Sequence, residues 1–194
     1  MQLNLSVPAR GMGAEVTILD RLLPRLRELD ITYAGQVKCV YYTEENIEDY
    51  ALEADMIVGA VLVPGAAAPK LLSRDIISRM KKGSVVVDVA IDQGGCFETS
   101  RPTTHEKPTY VVDGIVHYCV TNIPGAVART STLALNNATL PFTLSLANNG
   151  YKKALLEDPD LRNGLNVYKG RITYQAVAED LGYEYQPATE VLAA

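Results

Sequence analysis

Three aspartates lie within or directly after apolar runs, where a carboxylate can bind a ligand or transfer a proton. Asp20 follows the run 16–19, and Asp88 and Asp92 lie in the segment VVVDVAIDQGG. A carboxylate directly after a buried strand is the arrangement that binds the adenosine ribose of a dinucleotide. In that arrangement a glycine-rich turn lies about 20 residues earlier. Counting back from Asp20 runs past residue 1, so the spacing alone favours a turn residue at the end of a strand.

Asp88 and Asp92 are predicted to lie at different depths of one strand. Asp92 precedes Gln93-Gly94-Gly95, so it could form a turn, a common role for Asp ahead of glycines. It also falls at the predicted mouth of the strand, where ligands of such folds bind, and we expect a functional role. Asp88 lies four residues earlier on the same strand face, and we interpret it as a structural hydrogen-bond acceptor.

The other chemically reactive side chains give weaker signals. Arg101 in the segment SRPTT could pair with a carboxylate or phosphate, or it could be a solvated loop charge, and the residues leave both open. We interpret His105 as a loop residue and His117 as a hydrogen-bonded imidazole within a strand. The three cysteines are scattered and form no CxxC pair, which favours buried residues in a reducing compartment over a metal site or disulfides.

Apolar runs alternate with helix-like segments along most of the chain. Strands are predicted at residues 16–19, 37–42, 55–62, 84–91, 110–112 and 115–120. Helices are predicted at residues 22–29, 46–53 and 74–80, the last with Ser73 as its cap. This alternation predicts a parallel sheet covered on both faces, whose ligands bind at the carboxyl ends of the strands.

The two ends of the chain differ from this pattern. A long helix is predicted from residue 130 to about 147, and residues 151–194 are polar and tyrosine-rich, typical of an appendage that needs another surface. In the atypical segment 1–14, Leu3, Leu5 and Val7 alternate with polar residues, a half-buried strand pattern. Such a strand could pair with residues 16–19 only antiparallel, because a parallel crossover needs a dozen or more residues.

Composition excludes several classes of partner. The chain has 194 residues, 47% of them hydrophobic, and a net charge of −5 without a basic run. These values indicate a globular protein and argue against nucleic acid or an anionic membrane surface as partner. Its apolar runs are too short to span a bilayer, and without a signal-peptide pattern we expect a cytoplasmic location.

The chain resembles the cofactor domain of the alanine dehydrogenase and transhydrogenase alpha-subunit family, with alanine dehydrogenase as the better match. The segments that carry the resemblance are GMGAEVTILD, DMIVGAVLVPGAAAPKL, MKKGSVVVDVAIDQGGCFETSRPTTHEKPTY and YCVTNIPGAVARTSTLALNNATLPF. It begins at about Gly11 and continues to the C-terminus. It implies an α/β fold with an incomplete Rossmann-like, doubly wound, mostly parallel sheet in residues 15–129, and a helical appendage in residues 130–194.

The resemblance also implies an activity and a set of site residues. The family oxidatively deaminates L-alanine to pyruvate, ammonia and NADH, and its members are commonly homo-hexamers. Asp92 matches the catalytic aspartate, Asp20 would bind the adenosine ribose of NAD, and no metal is implied. The other implied cofactor contacts fall into groups. Arg25 and Tyr42 would lie near the adenosine half, Val61, Leu62 and Leu71 would line the cofactor cleft, and Arg101 would be a further contact. The residues implied to flank the nicotinamide are Val89, Ala90, Ile91 and Asp92, with Val120, Thr121, Asn122 and Ile123.

Important parts of the family pattern have no match in the sequence. The substrate-binding Arg and Lys and the catalytic His belong to an N-terminal domain, and the first Rossmann strand and its glycine loop are also missing. We therefore expect an NAD-dependent oxidoreductase of L-alanine catabolism that is inactive alone and binds L-alanine or pyruvate only when the substrate domain is supplied. The competing hypothesis is a catalytically silent nucleotide-binding or oligomerisation module.

Overall fold

The computed structural model describes residues 2–61, 63–65 and 67–193, with side chains from residue 5 onward. The chain divides into two compact units. The first unit combines residues 1–62 and 68–121, and the second combines residues 63–67 and 122–194.

The first unit alternates strands and helices, as the sequence predicts. Its strands are β1 (Thr17–Asp20), β2 (Lys38–Tyr41), β3 (Met56–Gly59), β4 (Val85–Asp88), β5 (Thr109–Val112) and β6 (Ile115–Tyr118). Its helices are α1 (Gln2–Gly11), α2 (Leu23–Tyr33), α3 (Glu44–Glu53) and α4 (Arg74–Arg79), and a 3-10 turn spans Ile91–Gln93. Ser73 caps α4 as predicted, since its hydroxyl accepts the Ile76 N–H at 3.3 Å. The predicted α/β class is confirmed.

The strands of the first unit form two separate ladders. β1 and β2 pair parallel, and a second sheet has the order β3-β4-β6-β5, with β5 antiparallel to β6 and the other pairs parallel. Each ladder has its own core, one around Leu29 and Val37 and the other around Leu72, Ile77 and Val86. Among the described residues, β1 and β3 therefore each present an edge that pairs with no other strand.

The two ladders fit the outer positions of a doubly wound sheet. In the order 3-2-1-4-5-6 of that fold, β2 and β1 take positions 3 and 2, and β3, β4 and β6 take positions 4, 5 and 6. The described residues supply no strand for the central position. This matches the incomplete sheet that the sequence predicts.

The N-terminal segment is a helix, so the predicted antiparallel strand is wrong. α1 runs from Gln2 to Gly11 and buries Ser6, whereas Leu5 and Val7 are 43% and 58% exposed. An alternation of only three apolar residues, Leu3, Leu5 and Val7, does not distinguish the two-residue period of a strand from the 3.6-residue period of a helix. A helix also satisfies its backbone groups within the segment, while a strand needs a neighbour.

The second unit is mainly helical. Its elements are α5 (Ala128–Asn149), α6 (Tyr151–Glu157), α7 (Pro159–Asn163), β7 (Val167–Tyr168), β8 (Arg171–Ile172), α8 (Gln175–Leu181) and α9 (Ala188–Ala193), with a 3-10 turn at Ile123–Val127. The long helix begins at Ala128, slightly before the predicted start, and has no buried residue. The small core of the second unit contains Leu155, Ala178 and Leu192. None of the helices in the described ranges is long and apolar enough to cross a membrane.

Candidate functional site

The carboxyl ends of three parallel strands bring together the predicted nicotinamide-side residues of the first unit. β3, β4 and β6 point the same way, and the Val89 N–H donates to the Gly59 carbonyl at 2.9 Å. At this edge lie Val61 after β3, Val89 and the residues to Asp92 after β4, and Val120 and Thr121 after β6.

Asp92 lies on the 3-10 turn and not at the end of a strand. β4 stops at Asp88, Val89 and Ala90 form a turn, and Ala90 and Ile91 are buried while Asp92 is exposed. The prediction of one strand through residue 91, with Asp88 and Asp92 on the same face, is therefore wrong. The turn leaves the Asp92 side chain exposed beside the ends of the three strands, where a carboxyl group can exchange a proton with a bound molecule.

Asp88 is a fully buried acceptor with four donors, which confirms its interpretation as a structural residue. Its Oδ1 accepts the Ala90 N–H at 3.1 Å and the Cys96 thiol at 3.3 Å. Its Oδ2 accepts the Cys96 N–H at 2.9 Å and the Ser100 hydroxyl. Burial and the neighbouring Asp88 carboxylate raise the pKa of the Cys96 thiol, so this thiol remains a protonated donor.

The segment after Asp92 is also held from its other side by a contact that the sequence does not reveal. The Lys70 ammonium donates to the carbonyls of Gly94 and Gly95, at 2.7 Å each. Gly95 has φ +75°, and a Cβ there would lie 2.8 Å from Asp88 Oδ2. Leu71, predicted to line the cleft, is half-buried and donates its N–H to the Cys96 carbonyl at 2.7 Å.

Arg101 is exposed but held by a stack of rings. Its N–H donates to the Tyr110 hydroxyl at 2.8 Å, and its guanidinium lies 4.1 Å above the Tyr110 ring. The Tyr110 hydroxyl donates to the Thr99 carbonyl at 2.9 Å, and burial raises its pKa. The Tyr110 ring also stacks on the His117 ring, with 4.9 Å between the ring centroids. Arg101 is thus an exposed cation whose position is set by Tyr110.

His117 is the hydrogen-bonded structural imidazole that the sequence predicts. It is fully buried, its Nδ1 donates to the Ile115 carbonyl at 3.0 Å, and its Nε2 lies 2.7 Å from the Thr99 hydroxyl. Since a carbonyl can only accept, Nδ1 carries the proton and Nε2 accepts from the hydroxyl. Burial is the largest effect on the pKa of His117 and lowers it, and the positive charge of Arg101 also lowers it. The hydrogen bond to the Ile115 carbonyl opposes burial, as do the smaller effects of Asp113 and Asp88, but the pKa stays below its ordinary value.

Acidification is expected to destabilise the protein through His117. Its pKa in the folded state lies below the ordinary value of about 6.5, so the unfolded state binds more protons. The contribution is complete above about pH 6.5 and is lost as the pH falls below it, by at most about 1.4 kcal/mol per pH unit. Urea unfolding at about pH 7.5 and about pH 5.5 should show a smaller pH effect in His117→Gln than in the wild type. His105→Gln, at an exposed histidine, is the control; equal effects in all three proteins would contradict this assignment.

The adenosine-side residues gather at the end of the β1–β2 ladder. Asp20 Oδ1 accepts the Leu22 N–H at 2.9 Å, and the Asp20 carbonyl accepts the Tyr42 N–H at 3.0 Å. The guanidinium of Arg21, which the sequence did not single out, lies 4.5 Å above the Tyr42 ring. Arg25 pairs instead with Glu28 at 2.6 Å. Asp20 and Tyr42 belong to the end of the β1–β2 ladder, whereas Asp92 lies at the end of the other sheet of the first unit, β3-β4-β6-β5.

Three of the predicted cofactor contacts cannot be placed at the carboxyl ends of β3, β4 and β6. Leu62 lies outside the described residues, and Asn122 and Ile123 belong to the second unit. The described residues contain no group of three or more His, Cys, Asp or Glu that could hold a metal ion. Gln93 Oε1, directly after Asp92, is buried and has no hydrogen-bond partner in the described part of the chain.

Comparison with known proteins identifies the family. The family model "Alanine dehydrogenase/PNT, C-terminal domain" matches residues 6–175, so the resemblance begins within α1 and earlier than the predicted start at Gly11. The chain is 61% identical over 189 residues to alanine dehydrogenase of Halomonas elongata, covering 97% of the chain and 51% of that protein. It is 52% identical over 190 residues to alanine dehydrogenase 2 of Staphylococcus aureus strain USA300, with the same coverage of both.

Solved structures agree with this result. An L-alanine dehydrogenase superposes with a TM-score of 0.80 at 47% identity, covering 91% of this chain and 49% of that one. A transhydrogenase from Sinorhizobium meliloti shares the fold, with a TM-score of 0.61 at 24% identity, covering 87% of this chain and 45% of that one. The chain spans about half the length of the curated relatives it matches. It belongs to the alanine dehydrogenase/PNT family and corresponds to the C-terminal domain, the part of the family that binds NAD.

Proposed function

We propose that the chain is the cofactor-binding half of an NAD-dependent alanine dehydrogenase, which converts L-alanine, NAD and water to pyruvate, ammonia and NADH. The observation that carries the proposal is Asp92, exposed on a turn where three parallel strands end. This is the position at which doubly wound folds bind their ligands. The activity requires a second half that supplies the substrate-binding groups.

The residues at the two strand ends fit a dinucleotide. Asp20 ends β1, the position at which a dinucleotide fold places the carboxylate that accepts ribose hydroxyls. Arg101 offers an exposed, positioned guanidinium to a phosphate or to the substrate side of the cofactor. Gln93 Oε1 has no hydrogen-bond partner among the described residues, and an unpaired buried acceptor costs about 1–3 kcal/mol. A ligand donor such as an amide that binds beside Asp92 would supply the missing hydrogen bond. NAD, when bound, accepts the hydride.

Asp92 is proposed to act as the acid–base group of this half. Deamination requires a group that takes a proton from the substrate and returns it as ammonia leaves, and a carboxyl group within hydrogen-bond reach can do both. The proposal assigns the substrate carboxylate to groups outside the residues of this chain. Asp92 thus supplies one function of several, which is why the second half is required.

A complementation experiment tests this function. The purified chain is mixed with the N-terminal half of the Halomonas elongata relative, ending where its similarity to this chain begins. The family resemblance implies that this half carries the glycine loop, the central strand and the substrate-binding groups. We expect NADH formation that depends on L-alanine and on both halves. A complex of the two halves that binds NAD but forms no NADH would contradict the proposed activity.

We further propose that the chain forms a homo-oligomer through α5. This helix carries no charged residue from 130 to 149. At 100° per residue, its large side chains form stripes on opposite sides. One stripe is Leu133, Leu140 and Leu144, and the other contains Leu135 and Phe142; all five are 42% to 65% exposed. A helix that is apolar on two sides is normally covered on both.

Light scattering tests the oligomer. The wild-type chain should elute with a mass that is a multiple of 21.1 kDa, and Leu135→Glu with Phe142→Glu should lower that mass. Asn148→Glu introduces a charge beyond the apolar stripes and should leave the mass unchanged. A wild-type mass of one chain at high protein concentration would exclude the proposal.

A further inference from the structure

Asp88 holds the two ends of the segment that carries Asp92. Each carboxylate oxygen accepts one backbone N–H, that of Ala90 on Oδ1 and that of Cys96 on Oδ2. These two amides lie on either side of the Asp92 turn along the chain. Each oxygen also accepts one side-chain donor, the Cys96 thiol on Oδ1 and the Ser100 hydroxyl on Oδ2. The carboxylate therefore closes the segment into a loop whose tip is the 3-10 turn.

We propose that Asp88 is a positioning residue, which fixes the Asp92 carboxyl for its reaction by anchoring both sides of this loop. The proposal rests on the proposed function only in taking Asp92 as the reacting group. Two features show that the loop is packed tightly against this acceptor. Asp88 is completely buried, so water cannot replace it, and a Cβ at Gly95 would collide with its Oδ2 and with the Ser100 Cβ, both at 2.8 Å.

Only a group that accepts through both oxygens can fill this role. An asparagine has the shape of the aspartate, but one of its two terminal atoms is a donor NH₂ group. Whichever way the amide is turned, that group faces either the Ala90 N–H or the Cys96 N–H. Asp88→Asn therefore breaks one of the two anchors without creating a cavity.

Amide hydrogen exchange measured by NMR tests the positioning directly, without cofactor. In the wild type, the Ala90 and Cys96 amides should be strongly protected although they lie outside any helix or strand. In Asp88→Asn we expect the one of these two amides that faces the new NH₂ group to exchange at least about tenfold faster, since hydrogen bonds to charged groups are among the strongest in proteins. Val86 and Val87 within β4 should keep their protection relative to the other strands.

Ser84→Ala is the matched control. Ser84 lies directly before the first residue of β4, whereas Asp88 is the last residue of this strand. Ser84 is also buried, and its hydroxyl donates to the Ala54 carbonyl at 3.0 Å. Its loss destabilises the strand without touching the Asp92 loop, so a merely structural role for Asp88 predicts the same exchange pattern in both variants. Equal patterns, or unprotected Ala90 and Cys96 amides in the wild type, would overturn the proposal. The wild-type measurement decides this point even if Asp88→Asn does not fold.

The complemented enzyme supplies the catalytic readout. Asp88→Asn should lower kcat at least about tenfold and change KM for NAD much less, because the anchored group acts in the chemical step. Ser84→Ala should leave both constants near the wild-type values. If Asp88→Asn loses amide protection but keeps its kcat, the positioning role is wrong. If wild-type halves form no NADH, the proposed function has failed, while the exchange data still decide whether Asp88 anchors the loop.

Discussion

The purified chain alone is expected to form no detectable NADH from L-alanine, and Asp92→Asn is expected to abolish the activity that the N-terminal half restores. Correct positioning of the reacting groups contributes about 7–11 kcal/mol to catalysis. The proposed function assigns the substrate-binding groups to the N-terminal half. The chain alone should therefore lose all detectable activity and not only part of it. Asp92→Asn retains the shape of the exposed side chain and removes its acid–base capacity.

The measurement is NADH absorbance with purified protein, first with the chain alone and then with both halves. Asp49→Asn, at an exposed aspartate on α3, controls for a change of charge and should keep full activity in the complemented pair. Turnover by the chain alone that survives Asp92→Asn would contradict both the site assignment and the division of the catalytic groups.

NAD is expected to bind the isolated chain with a dissociation constant in the millimolar range or weaker. In dinucleotide folds, backbone N–H groups of a glycine loop and a helix N-terminus hold the pyrophosphate. The described residues supply no central strand followed by such a loop. Losing two or three charge-assisted hydrogen bonds of about 1.5–3 kcal/mol each weakens binding by several powers of ten, at about 1.4 kcal/mol per tenfold.

Calorimetry on the monodisperse chain measures this constant. Adding the N-terminal half with its glycine loop should strengthen binding to the micromolar range typical of complete sites. Asp20→Asn should weaken that restored binding, because the ribose loses its acceptor. A micromolar dissociation constant for the chain alone would show that the pyrophosphate does not need the missing loop.

The order of strands and helices could be predicted because their signals are local. The apolar run 84–91 and the cap Ser73 identify β4 and α4 from a few neighbouring residues each. The end of β4 could not be predicted, because the apolar run continues through Ile91. The strand stops earlier because Asp88 turns inward to accept donors as distant as Ser100.

The contacts that shape the candidate site have no local signal. Lys70 reaches the Gly94 carbonyl from 24 residues away, and Tyr110 on β5 supports Arg101, which lies in no strand. Neither pairing follows a helical or strand period, so only the folded chain brings them together. The assignment of Asp92 itself came from the family resemblance and its place after a strand, and its role remains a prediction.

The central claim is that the carboxyl ends of the parallel strands of the first unit bind NAD, with Asp92 beside the nicotinamide, which is the reacting end of the cofactor. An NMR titration of the ¹⁵N-labelled chain with millimolar NADH tests it most directly, because weak binding still shifts the amides that it touches. The proposed site predicts saturable shifts at Asp20, which ends β1, and at Asp92 and Thr121, which follow β4 and β6, and no shifts on α4. Saturable shifts confined to residues away from these strand ends, or none at saturating NADH in the presence of the N-terminal half, would contradict the claim.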